Sequence, residues 1–310
     1  MKSLILTVIL IFSDNFAQAK SFEIMNPQVY QGGVAIIRIY PQFQTQAQGA
    51  PVCIAVKWDG INSPGKEYSP NKQGYVLIGI ESDRNPNKYI LLRIMCGRGD
   101  RLDWTYEEFE VLKTSFLKTR ISRFTGKPKS RTDKQKRDID KALNSADHSD
   151  DLTDNLTYRD PLDLARDVID PFGSIYENNP DRFHTGVDLR APVGTPVKAI
   201  NGGKISFVGK RSRSPEGNMV IINHGLGLSS VYMHLSKFGK LRDARIVKGA
   251  RRLIARDLRV GDVVEKGQVI GSSGRSGVGV EEPHLHFNIR IKDTYVDPLN
   301  FIDTIDQHVK

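Results

Sequence analysis

The chain has 310 residues, enough for two domains with a core each, and its 45 Lys and Arg against 36 Asp and Glu leave a net charge of +9. That balance favours anionic surroundings, but no zinc-finger spacing, helix-turn-helix pattern or RNP-like aromatic strand accompanies it, so nucleic acid is excluded as the expected partner. The two cysteines, Cys53 and Cys96, lie far from the histidines in sequence, which removes cysteine ligation and thiol catalysis from the expectations.

Along the chain, Met1 and Lys2 precede an apolar run from Leu4 to Phe12, and Ala17-Gln18-Ala19 follows as a small-residue cleavage pattern. Residues 1–19 are therefore expected to be a signal peptide, too short in its apolar part to span a bilayer as a helix. The expected location is the periplasm, cell wall or exterior, with no transmembrane segment after cleavage. Residues 20–113 show short strand-like runs (33–40, 52–58, 74–80, 88–96 and 106–111) divided by Gly, Pro, Asn and Asp, which predicts a β-sandwich accessory domain. In an exported chain Cys53 and Cys96 form either a disulfide or two reduced core thiols. Residues 114–161 turn charged and polar, and the Ile139, Ala142, Leu143 spacing suits one short amphipathic helix over 138–144 in a linker. His148, between Asp147 and Asp150, reads as a solvated loop residue.

Residues 162–310 return to β-branched runs punctuated by glycine: 197–200, 203–208, 218–223, 228–233, 263–271 and 284–291. These predict an antiparallel β-rich domain with histidines at its strand ends. Five of the seven histidines lie between His184 and His286. His224, in Asn-His-Gly, reads as a hairpin-turn residue.

The histidine spacing carries chemistry. Residues i and i+2 of a strand share a face, so His284 and His286 aim two imidazoles into one cleft, as a double ligand or as a ligand plus a base. His184-Thr-Gly-Val-Asp188 brings an imidazole and a carboxylate to one metal from a single turn. Three ligands of types His, Asp and His leave one zinc position open for water, the mark of a catalytic rather than a structural site.

Four ordered motifs carry a family likeness: His184-Thr-Gly-Val-Asp188-Leu-Arg-Ala-Pro-Val-Gly-Thr-Pro-Val, Tyr232-Met-His234-Leu-Ser, Gly261-Asp-Val-Val-Glu-Lys-Gly-Gln-Val-Ile-Gly271 and Pro283-His-Leu-His286-Phe. Over residues 171–301 the chain resembles the lysostaphin-type zinc endopeptidases, metallopeptidase family twenty-three. The resemblance implies one Zn²⁺ held by His184, Asp188 and His286, catalytic histidines at His234 and His284, and hydrolysis of peptide bonds in the peptide stems of bacterial peptidoglycan. His284 is the expected general base and His234 the oxyanion donor, with exchange of the two roles left open. The expected fold class is mainly β, with a zinc peptidase domain at the C-terminus. The alternative is a non-catalytic wall-binding regulator, since some relatives have lost their ligands; here all five matched positions are intact.

Three departures from the family pattern concern substrate. The connection from residue 237 to 259 is long and basic, either a solvated loop or a dock for anionic wall polymer. Glu281 and Glu282 precede the Pro-His-Leu-His motif, facing solvent or a substrate amine. Pro171-Phe-Gly keeps the family's Phe-Gly without the basic residue expected after it.

Overall fold

The computed structural model describes residues 22–40, 51–58, 65–83, 89–98, 101–116, 133–148, 151–153, 155–176, 179–210, 214–247 and 250–309. The expected signal peptide lies outside these residues.

Strands dominate. In the N-terminal part, Phe22–Ile24, Val34–Ile39 and Tyr75–Gly79 form a three-stranded sheet, and Gln28–Tyr30, Arg101–Leu112, Tyr89–Arg98, Pro51–Trp58 and Lys66–Tyr68 form a five-stranded one. Both sheets contribute fully buried side chains, Ile36 and Ile78 from the first and Ile90 and Phe109 from the second. The expected strands lie within a few residues of these, with the last one, read as 106–111, extending back to Arg101. Cys53 stands opposite Cys96 in the register of adjacent antiparallel strands.

The C-terminal part is built on an eight-stranded sheet. Its order is Val263–Val264, Gly203–Gly209, Met219–Gly225, Leu228–Met233, His284–Ile291, Val187–Arg190 and Val168–Asp170, with Thr294–Val296 paired off the 284–291 strand. The run 263–271 expected as one strand is two, Val263–Val264 and Val269–Ser272, because Gly267 turns between them at φ 81°.

Alternation divides this sheet into two faces. Tyr232, Phe287, Leu285, Ile289, Val187 and Leu189 point into the main core, which is continuous with that of the N-terminal part. The opposite face carries His284, His286 and Asn288 in sequence alternation, and next to them Met219, Ile221 and Val231. Helix α1 (Asp133–Asn144) lies on these apolar residues through Ile139, Ala142 and Leu143. The spacing that suggested a short helix is the one that docks it, although the helix begins five residues earlier than expected. Helix α2 (Pro298–His308) was absent from the expectations. Asp297 caps it by accepting from the N–H groups of Leu299 and Asn300, Pro298 opens it, and Phe301, Ile302 and Ile305 fill the core.

Charged groups also join the two parts. Lys57, fully buried, donates to Glu81 at 2.5 Å and to the carbonyl of Gly79 at 3.3 Å, while Thr294 of the C-terminal sheet donates to the same Glu81 carboxylate at 3.3 Å. Lys66 reaches Asp293 at 2.8 Å. Removing one partner of a buried pair leaves an uncompensated charge, costing about 3–5 kcal/mol. Glu81→Ala is therefore expected to lower unfolding stability by that order, whereas Lys57→Met costs less because it deletes the buried charge; urea titration of the two variants measures the difference.

Candidate metal centre and histidine cleft

The site begins with strand register. Val187–Arg190 pairs antiparallel with the 284–291 strand so that Asp188 faces His286 and Arg190 faces His284. Directly paired residues share a sheet face, so the carboxylate and both imidazoles stand on one side. On the other flank Met233 pairs with His286, and the chain leaves the strand at His234 in a left-handed conformation, φ 63°. That turn swings the His234 ring to 4.7 Å from the His284 ring and 5.9 Å from the His286 ring, centroid to centroid.

His184 arrives from outside the sheet, and short bonds fix it. Its N–H donates to the carbonyl of Ser174 at 2.7 Å, its carbonyl accepts from Gly173 at 2.8 Å, and its Nδ1 lies 3.0 Å from the carbonyl of Pro171. Gly173 holds φ 82°, and a Cβ there would meet the Phe116 ring at 2.3 Å, so the glycine is required both for the turn and for space.

Three atoms then converge. His184 Nε2 lies 2.9 Å from His286 Nδ1 and 3.3 Å from Asp188 Oδ1, and His286 Nδ1 lies 2.7 Å from Asp188 Oδ1. A four-coordinate zinc with bonds of about 2.0–2.1 Å holds its donors about 3.3 Å apart. The trio is slightly tighter than that and has the right donor types, so it can hold a metal ion. The backbone prepares the ligand face: Pro171 takes the Nδ1 proton of His184 and leaves the Nε2 lone pair toward the other donors.

Local charge is consistent with this. Burial opposes ionisation of Asp188, but the His184 and His286 rings hold its carboxyl well below the usual carboxylate range. Burial disfavours protonation of His184, and the Asp188 charge outweighs it and raises the ring above the ordinary histidine value. Burial lowers His286. His234 is pushed down to about 3 by burial and by the neighbouring His284 and His286 rings.

The cleft histidines are anchored like His184. Nδ1 of His234 lies 3.0 Å from the carbonyl of Ser276, and Nδ1 of His284 lies 2.8 Å from that of Glu282. Each ring therefore keeps its Nε2 for the cleft, and Nε2 of His284 stands 3.7 Å from Asp188 Oδ2.

All five residues singled out in the sequence, His184, Asp188, His234, His284 and His286, are thus brought together. His224 is not among them. It lies inside the strand Met219–Gly225 rather than in a turn, 1% exposed, bonded to the carbonyl of Gly202 at 2.7 Å and to the Ser230 hydroxyl at 2.8 Å on the core side. His148 ends a short 3₁₀ turn, Ser145–His148. The Glu282 carboxylate pairs with Arg190 at 2.7 Å, and Glu281 is exposed. Sequence reasoning missed the carbonyls of Pro171, Ser276 and Glu282; only Pro171 had a signal, in the Pro-Phe-Gly motif.

The converging donors form a candidate metal centre on a β-rich domain. Residues 182–298 match the model of Peptidase family M23. Over 145 residues the chain is 35% identical to the DD-carboxypeptidase/endopeptidase Mpg of Neisseria meningitidis serogroup B, covering 46% of this chain and 28% of the relative. It is 34% identical over 124 residues to lysostaphin of Staphylococcus simulans, covering 39% of this chain and 21% of the relative. The chain thus spans under a third of the length of these relatives. A putative peptidase M23 from Pseudomonas aeruginosa superposes with a TM-score of 0.55 at 24% identity, over 90% of this chain and 96% of that one, a likeness of fold that includes the N-terminal part.

The depressed His234 makes a signed prediction. The unfolded chain takes up a proton near the ordinary histidine value of 6.5 and the folded metal-free protein only near 3. Between those values the unfolded state binds more protons, so stability falls as pH drops through that window, by on the order of 2 kcal/mol at pH 5. Urea midpoints of metal-free protein at pH 7 and pH 5 should therefore move less in His234→Gln than in the parent.

Proposed function

We propose that the protein is an exported zinc-dependent endopeptidase that hydrolyses peptide bonds in peptidoglycan crosslinks, with one Zn²⁺ per chain held by His184, Asp188 and His286. The observation that carries this reading is the convergence of His184 Nε2, Asp188 Oδ1 and His286 Nδ1 beside two further histidines that keep Nε2 for the cleft. The family match over 182–298 and the names of the relatives, endopeptidase among them, support it. So does the apolar N-terminal run followed by a cleavage pattern, and no helix among the described residues is long and apolar enough to cross a membrane.

Bound zinc supplies a Lewis acid for the scissile carbonyl and lowers the pKa of a coordinated water to about 7. The chain's own residues do the rest. His234 and His284 both spend Nδ1 on a backbone carbonyl, so each is an acceptor at Nε2 when neutral and a donor there only when protonated. Nε2 of His284 stands 3.7 Å from Asp188 Oδ2, beside the three converging donors, while His234 sits deeper against Ser276. We therefore exchange the roles expected from the sequence: His234 takes the proton from the attacking water and passes it to the leaving amine, and His284 donates a hydrogen bond to the developing oxyanion.

Zinc content and muropeptide release from purified cell walls test this together. His184→Ala is expected to lose both. His234→Ala and His284→Ala should each keep one zinc while losing about 10²–10⁴-fold in turnover. Zinc bound by the parent without any release would move the assignment to the non-catalytic wall-binding reading.

The basic connection carries the partner proposal. Residues 240–257 form a hairpin of two strands, Lys240–Val247 and Ala250–Asp257, rather than an irregular loop. It holds seven basic and two acidic residues, five of the chain's nine net positive charges. In the register of the two strands Arg245 stands directly opposite Arg252. The hairpin docks on anionic wall polymer. Arg251→Glu with Arg252→Glu should weaken cosedimentation with intact walls at low salt and flatten its salt dependence, leaving cleavage of a small soluble peptide unchanged.

A further inference from the structure

Asn288 is buried in a place where packing alone does not call for an amide. It follows His286 by two residues on the histidine strand, on the same face, and is 2% exposed. Its Nδ2 donates to Thr185 Oγ1 at 3.1 Å, while its Oδ1 has no hydrogen-bond partner. A buried polar atom left unpaired costs about 1–3 kcal/mol, and Leu or Val would avoid that cost. Such costs concentrate at functional sites.

The surroundings show what the amide holds. Thr185 and Gly186 lie between the two ligand residues of the turn, His184 and Asp188. A Cβ on Gly186 would fall 2.2 Å from Asn288 Oδ1 and 2.5 Å from the carbonyl of Phe287, so the turn rests directly on this part of the histidine strand. The glycine of His-Thr-Gly-Val-Asp is required by this close approach, since its φ is not among the positive values. Strand pairing joins the turn to the histidine strand from Val187 onward. Before Val187, the Asn288 to Thr185 bond ties the turn to the strand that bears His286. On the far side, Pro171, Gly173 and Ser174 fix His184.

We infer that Asn288 is a positioning residue of the metal centre: through Thr185 it sets the distance between the turn that bears His184 and Asp188 and the strand that bears His286. The inference rests on the proposed metal site but concerns how the site is built. Removing a partner that orients ligands typically weakens metal affinity about 10–100-fold.

The test is zinc affinity by competition with a chromogenic chelator, beside urea stability of the metal-free proteins. Asn288→Ala and Thr185→Ala should each bind zinc about 10–100-fold more weakly, and the double variant no more weakly than the worse single one, because both break the same bond. Thr185→Ser, which keeps the hydroxyl, should retain parental affinity. If Asn288→Ala fails to fold, the less buried Thr185 carries the comparison. Variants that lose stability but keep parental zinc affinity would show a purely structural amide and overturn the inference alone. A parent protein that binds no zinc overturns it together with the metal site on which it rests.

Discussion

The site depends on one pairing, that of Val187–Arg190 with His284–Ile291 in the register that sets Asp188 against His286. A slip of one residue would turn Asp188 to the core side, where Val187 and Leu189 are now buried, and leave a carboxylate among apolar side chains. The hydrophobic alternation of both strands therefore enforces the register that the chemistry uses. Core packing and the candidate site are specified by the same strands: Leu285, Phe287, Val187 and Leu189 hold the sheet to the core, and their alternate neighbours face the candidate metal centre.

Around that pairing the backbone does most of the positioning. Carbonyls of Pro171, Ser276 and Glu282 each receive Nδ1 of a histidine, and each comes from a segment joined to the sheet at its rim. The effect is to fix tautomers as well as orientations, since a ring whose Nδ1 proton is committed keeps its lone pair at Nε2. His286 differs, meeting the other donors through Nδ1, because its ring springs directly from the strand beneath them.

The same sheet face serves a second purpose beyond the cleft. Met219, Ile221 and Val231 continue the plane of the histidines and are covered by Ile139, Ala142 and Leu143 of α1, with Met233 at the boundary. Asn144 of α1 accepts from Arg290, the next outward residue of the histidine strand after Asn288. The segment between the two larger parts is thus packed on the histidine face, while the N-terminal strands are joined to the opposite side through the core and through Lys57, Glu81 and Thr294.

The sequence was sufficient for the mainly β class, for most strands of both parts and for the five residues of the cleft, because period-two alternation and short histidine motifs are local signals. It also contained a signal that went unused. Asp297-Pro298 caps and opens α2. What tertiary structure alone decided is non-local. His224 belongs to the core by its place inside the strand Met219–Gly225, and His234 reaches the cleft because the chain leaves its strand there in a left-handed conformation. The contact of Asn288 with Thr185 and Gly186 joins residues about a hundred positions apart, and the carbonyl anchors of His184 and His234 lie 13 and 42 positions from their rings. Sequence determined which groups were available and which face each strand would bury; the chain's long-range closure determined which of them meet, because backbone acceptors carry no side-chain identity for a sequence to display.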